Sequence, residues 1–148
     1  MPLLFALWTL RSRKRRCLRG FGLGYLSGLI FFLINLSWLH HIHLAACEIL
    51  SSFLASYFAI WGGFAATIGI PKKEDSTLAE SNSYFCLKAA FLNGSAWCGL
   101  EWVRGWLLTG FPWNGLGVGL ANDLVMVQTA DIIGVTGISF ILIFCSTI

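Results

Sequence analysis

Apolar residues in this chain come in runs of about 20, separated by short polar or glycine-rich interruptions, and that spacing predicts membrane-crossing helices. The runs cover 20–40, 49–69, 87–108 and 132–148. A helix rises about 1.5 Å per residue, so a run of this length suits the roughly 30 Å hydrocarbon core of a bilayer. A shorter apolar stretch, 5–10, cannot cross alone and reads as the tail of a partial span. The last run reaches Ile148 with no polar flank, as a sequence cut inside a helix would. The expected fold class is therefore all-α: a polytopic transmembrane helical bundle of about four spans plus a partial one at the N-terminus.

The interruptions refine this picture. Within the first run Gly20, Gly24 and Gly28 recur every four residues on one helical face, a stripe that lets a neighbouring backbone approach closely. Pro71-Lys72-Lys73-Glu74-Asp75-Ser76 is expected as a water-facing loop after the second run. Pro112 restricts Phe111 to extended geometry and supplies no N–H, so the third helix is expected to stop near Thr109. The stretch 110–131, with Asn114, Gly115, Gly117, Gly119, Asn122 and Asp123, reads as an ordered surface loop.

Composition agrees with a lipid solvent. Of 148 residues 57% are hydrophobic and 11% charged, against about a quarter charged in an ordinary soluble domain. Six of the ten basic residues fall between Arg11 and Arg19, so the net charge of +3 reflects one cluster rather than a basic surface. Lying between apolar segments, the cluster sets membrane orientation and argues against a nucleic-acid partner. Threading the runs back and forth puts Arg11 to Arg19, Lys72, Lys73 and Lys88 on one side, nine of the ten basic residues. The other side receives His40, His41, His43, Glu48, Asn114, Asp123 and Asp131. The basic loop 11–19 is then expected in the cytoplasm and loop 110–131 on the outer face, with Trp38, Trp106 and Trp113 near that boundary.

Candidate chemistry is sparse. Glu101 and Arg104, three residues apart on the third run, can meet on one helical face, and inside a membrane both must face protein or water. They read first as a structural pair that fixes helix packing and second as a polar handle for a lipid head group, and neither reading excludes the other. His40, His41 and His43 have no carboxylate or cysteine at suitable spacing, so no metal site is expected. Gly20-Phe21-Gly22-Leu23-Gly24 neither follows a strand nor opens a βαβ unit, so no dinucleotide cofactor is expected. The five cysteines form no C-x-x-C pair, and none has a base beside it outside lipid, so no catalytic set is expected. Trp113, just after the helix-ending Pro112, is either an interfacial anchor or a contact for an acyl chain arriving from the bilayer.

The motifs of the second half are more specific. Glu101-Trp102-Val103-Arg104-Gly105-Trp106, then Gly110-Phe111-Pro112-Trp113, then Gly134-Val135-Thr136-Gly137-Ile138-Ser139-Phe140, occur in order. This arrangement resembles the membrane domain of the apolipoprotein N-acyltransferases. The resemblance implies a bacterial inner-membrane enzyme that moves an acyl chain from a phospholipid donor to the N-terminal diacylglyceryl-cysteine of a lipoprotein acceptor. It implies a Glu-Lys-Cys triad, in a nitrilase-like domain on the periplasmic side, whose cysteine is acylated before the amine attacks the thioester.

Nothing in these residues matches that triad, so the chain is expected to be the membrane portion alone and inactive by itself. By the same resemblance Phe111, Pro112 and Trp113 line lipid access beside the active site, and Glu101 and Arg104 sit on the helix leading to it. The alternative is a non-catalytic, membrane-embedded lipid-binding or scaffold protein. A transporter gains little support, because no inverted repeat is visible and charges deep within a span are confined to Glu101 and Arg104.

Overall fold

The computed structural model describes residues 15–41, 43–68 and 79–148. Its described residues form four long α-helices and contain no strand, as a helical membrane protein requires. The chain divides into two compact units, Met1–Ile70 and Pro71–Ile148.

In the first unit α1 (Arg16–Asn35) and α2 (Leu44–Thr67) form a helical hairpin. Gly20, Gly24 and Gly28 are buried along α1 and face α2. A Cβ on Gly20 would meet Gly62 and Ala66, on Gly24 the Phe58 carbonyl, and on Gly28 Phe58 and Ala55, so the register runs antiparallel. Small residues on both helices allow the backbones to touch, which supplies van der Waals attraction where lipid removes the usual hydrophobic drive. Where the glycine stripe ends, Phe58 stacks on Phe31 at 5.8 Å and meets Phe32 edge-on at 5.6 Å.

The first apolar run is interrupted earlier than its hydropathy indicates. Asn35 Nδ2 donates to the Phe31 carbonyl at 2.8 Å, and the chain tightens into a 3-10 turn over Ser37–His41. Asn and Ser offer the backbone local partners that compete with the helix, a signal that averaging over apolar neighbours hides. His40 and His41 therefore sit on an exposed turn, and His43 is extended at the start of α2. The turn is tied down by the Cys47 thiol, which donates to the carbonyl of fully buried Leu36 at 3.4 Å. Glu48, expected to precede the second helix, lies within its second turn.

In the second unit α3 (Ala79–Arg104) and α4 (Leu124–Thr147) also run antiparallel. Gly94 lies against Phe140, the Phe91 and Phe140 rings meet at 5.6 Å, and the Cys98 thiol donates to the Thr136 carbonyl at 3.3 Å. Helix α3 begins with the polar turn Glu80-Ser81-Asn82-Ser83, ahead of the expected boundary at 87. It stops at Arg104 rather than near Thr109, because Gly105 and Trp106 turn the chain away before Pro112 is reached.

Helix α4 differs more from expectation. It starts at Leu124, so the irregular segment expected over 110–131 ends at Asp123. Asp123 caps the helix, one carboxylate oxygen accepting from Val125 N at 3.1 Å and Met126 N at 3.4 Å. The helix is then broken at Gly134, whose φ of 71° and ψ of 169° are open to glycine and strained for other residues. The expected span over 132–148 captured chiefly the half beyond the break.

Among the described residues three helices, α1, α2 and α4, are long and apolar enough to cross a membrane. Helix α3 has 26 residues, about 39 Å at the usual rise, but includes Glu80, Lys88, Glu101 and Arg104. Leu18, Leu26, Ile30 and Ile34 on α1 and Ile49 and Ile60 on α2 lie exposed on the hairpin, the outward apolar surface that a lipid solvent favours. The expected loop 71–76, the short run 5–10 and the basic residues Arg11, Arg13, Lys14, Lys72 and Lys73 lie outside the described residues.

Candidate functional site: an aromatic loop tied to two helices

The polypeptide between α3 and α4 starts with a small closed excursion. Gly105 N–H is shared between the Glu101 and Trp102 carbonyls at 3.1 and 3.0 Å, which ends the helix. The chain swings out through Leu107–Thr109, and Gly110 (φ 80°) brings it back so close to Gly105 that a Cβ at 110 would overlap the Gly105 carbonyl. Phe111 N–H then donates to the Arg104 carbonyl at 2.8 Å, fastening the return to the last residue of α3. Leu108 at the tip has φ 51° and ψ 52°, a left-handed conformation that costs a non-glycine residue about 1–2 kcal/mol, and its side chain is 73% exposed.

Phe111, Pro112 and Trp113 follow directly. Phe111 is half-buried and its ring lies 5.7 Å from that of Trp113, while Pro112 and Trp113 are exposed. Trp102 and Trp106 are also exposed and meet edge-on at 5.5 Å. Trp102, Trp106, Trp113, Leu107 and Leu108 are thus each exposed, and large amphipathic and apolar side chains left outward in this way suit the polar–apolar boundary of a bilayer better than water. Beyond Asn114, which takes the left-handed conformation that Asn tolerates (φ 55°), the chain forms a 3-10 turn over Leu116–Leu120.

Two side chains hold that turn. Glu101 Oε1 accepts Leu116 N–H at 2.7 Å, and Ser139 Oγ accepts Gly117 N–H at 2.8 Å. Consecutive backbone donors are thus bound by α3 and by the part of α4 beyond its break. Gly117 is buried, and a Cβ there would overlap the Val135 carbonyl. An open hollow of about 510 Å³ lies beyond the turn, lined by Gly119, Leu120, Asn122, Asp123, Leu124 and Val125.

Each residue singled out from sequence now has a place. Glu101 reaches the loop through its carboxylate and Arg104 through its carbonyl, while the Arg104 side chain is only 4% exposed. Both residues bracket the segment that carries Phe111, Pro112 and Trp113. Ser139, which the sequence shows only as a serine between the apolar Ile138 and Phe140, joins these residues through its bond to Gly117 N–H. Among the described residues no three His, Cys, Asp or Glu side chains gather as metal ligands would.

Residues 1–148, the whole chain, match the family described as the apolipoprotein N-acyltransferase N-terminal domain. The chain belongs to the apolipoprotein N-acyltransferase family. It is similar to the apolipoprotein N-acyltransferase of Rickettsia prowazekii, 33% identical over 128 residues, a match covering 84% of this chain and 24% of the relative. It is also similar to that of Photobacterium profundum, 32% identical over 148 residues with 95% and 26% covered. The Geobacter metallireducens relative is 29% identical over 154 residues, with 99% and 27% covered. The chain thus spans about a quarter of the length of these curated relatives. No solved structure matches it. For an apolipoprotein N-acyltransferase N-terminal domain, the aromatic loop is the feature whose exposure and fixed attachment call for a functional account.

Proposed function

We propose that this chain is the membrane portion of an enzyme that transfers an acyl chain from a phospholipid to the N-terminal diacylglyceryl-cysteine of bacterial lipoproteins. It resides in the inner membrane, with the basic loop 11–19 cytoplasmic and the loop after α3 periplasmic. The acyl-transfer chemistry, attack by an activated thiolate and then by the acceptor amine, belongs to the part of the relatives beyond the matched quarter; these 148 residues alone are inactive. Their part is to admit and orient lipid. Phe111, Pro112 and Trp113 line the approach of the acyl donor, and Glu101 and Arg104 keep that approach attached to α3.

The observation that carries this reading is the exposed Trp113 on a segment fastened at both ends, by Phe111 N–H to Arg104 and by Leu116 N–H to Glu101. A rigid aromatic ring at a bilayer boundary is suited to a sliding acyl chain, because holding it still needs no further ordering at the moment of contact. In the full-length enzyme bearing this domain, Trp113→Ala is expected to lower triacylated lipoprotein formation in cells depleted of the endogenous enzyme, with membrane insertion unchanged. Undiminished maturation would reduce Trp113 to an anchor. Rescue by the 148-residue chain alone would overturn the assignment of the chemistry elsewhere.

Orientation has its own test. Cysteines introduced at Lys72 and at Trp113 are expected to label from opposite sides of the membrane. Labelling of both from one compartment would break the threading and remove the periplasmic approach.

A further inference from the structure

We propose that Ser139 is a positioning residue, whose hydroxyl oxygen holds the Leu116–Leu120 turn against α4 and thereby sets the depth at which Trp113 sits in the bilayer. The inference rests on the reading of Trp113 as a lipid contact and deepens it. Between Phe111 and Asp123 the longest regular element is a five-residue 3-10 turn, so individual ties must fix the path of the chain. The Arg104 carbonyl holds Phe111, the Glu101 carboxylate holds Leu116, and the Ser139 hydroxyl holds Gly117. Of these ties the first two come from α3, and Ser139 brings α4 into the frame.

The attachment to α4 is close and dry. Ser139 is fully buried, Gly117 is buried, and the turn approaches so near that only glycine leaves room for the Val135 carbonyl. Val135 is the first residue after the Gly134 break, so the turn packs where α4 resumes its helical course. A hydrogen bond away from water is stronger and more exacting in geometry than one at the surface. Trp113 lies three residues before Leu116 and four before Gly117. A fully extended chain covers at most about 3.6 Å per residue, so a turn held at Leu116 and Gly117 confines the indole to a short radius. Removing the Ser139 oxygen leaves Gly117 N–H unmatched beside α4, and a turn that moves to satisfy that donor pulls on the neighbouring Leu116–Glu101 tie and so shifts the Trp113 segment held between it and the Phe111–Arg104 tie.

The protein is labelled with 5-fluorotryptophan and placed in bilayers containing nitroxide lipids, with the nitroxide either at the head group or deep in the acyl chain. The Trp113 fluorine resonance is assigned by its loss in Trp113→Phe, and Trp61, buried in the first unit, serves as the internal reference. Ser139→Ala and the nearly isosteric Ser139→Cys are expected to shift the ratio of shallow to deep broadening at Trp113 while leaving Trp61 and helix content unchanged. Ser139→Thr, which keeps the hydroxyl, is expected to restore the ratio. If Ser139→Ala does not fold, Ser139→Cys decides. An unchanged ratio in the folded variant, or a shift in Ser139→Thr equal to that in Ser139→Cys, would overturn the positioning role. The measurement needs no acyl transfer, so the two readings fail separately: a Trp113 beyond reach of every lipid nitroxide in the unaltered protein would overturn the lipid contact itself.

Discussion

Glu101 Oε1 accepts the backbone N–H of Leu116 at 2.7 Å, joining the last full turn of α3 to a loop residue fifteen positions further along. The acceptor is a side chain and the donor is backbone, so substitution at 101 can remove the tie without altering the loop sequence. Glu101→Ala is expected to destabilise the second unit by about 1–3 kcal/mol, the usual result of leaving a sheltered donor unmatched. Glu101→Gln retains an acceptor oxygen and is expected to lose less. Thermal unfolding of the detergent-solubilised protein ranks them, and equal losses would show that the charge, not the acceptor, matters.

The glycines of α1 provide a matched pair. A Cβ at Gly24 would overlap the Phe58 carbonyl, whereas one at Gly22 meets nothing within 4 Å. Gly24→Ala is therefore expected to cost about 1–3 kcal/mol through overpacking. Gly22→Ala is expected to be neutral or to stabilise by up to about 1 kcal/mol through helix propensity. Melting temperatures of the two variants check this, and similar behaviour would undo the antiparallel register of α1 and α2.

At Gly134 the burden is on the backbone alone. No heavy atom lies within 4 Å of a Cβ placed there, yet φ is 71°. Gly134→Ala is expected to destabilise by about 1–3 kcal/mol, the cost of a rarely populated backbone region. Differential unfolding against the unaltered protein measures it, and a gain in stability would mean that α4 readily straightens.

Asp123 is predicted to act as a cap and nothing more. Asp123→Ala is expected to lose about 0.5–2 kcal/mol, while Asp123→Asn, which also caps well, is expected to stay near the native value. Hydrogen exchange at Val125 and Met126 locates the effect, because those N–H groups donate to the Asp123 carboxylate. Equal exchange in all three proteins would remove the cap from the account.

Much of the helical architecture was legible because apolar runs of about 20 residues leave few choices in a bilayer. The glycine stripe was legible too, since a four-residue repeat on a helix admits close packing. Boundaries were harder. Asn35 and Ser37 end α1 inside an apolar run, and Gly105 ends α3 ahead of the more conspicuous Pro112. The first half of α4 was hidden because Asp123 is at once a turn residue and a helix cap, and hydropathy reports only its neighbours. Ser139 was invisible as a tie because its partner is a backbone N–H, which no side-chain pattern encodes.

The excursion from Gly105 to Gly110 leaves α3 and returns to it at nearly the same point, so it behaves as a side branch with its base pinched shut. What is attached to such a branch need not be transmitted to the trunk. A short peptide tag spliced at Leu107–Thr109 should therefore be carried without displacing Phe111, making this tip a natural place for evolution, or an experimenter, to vary length.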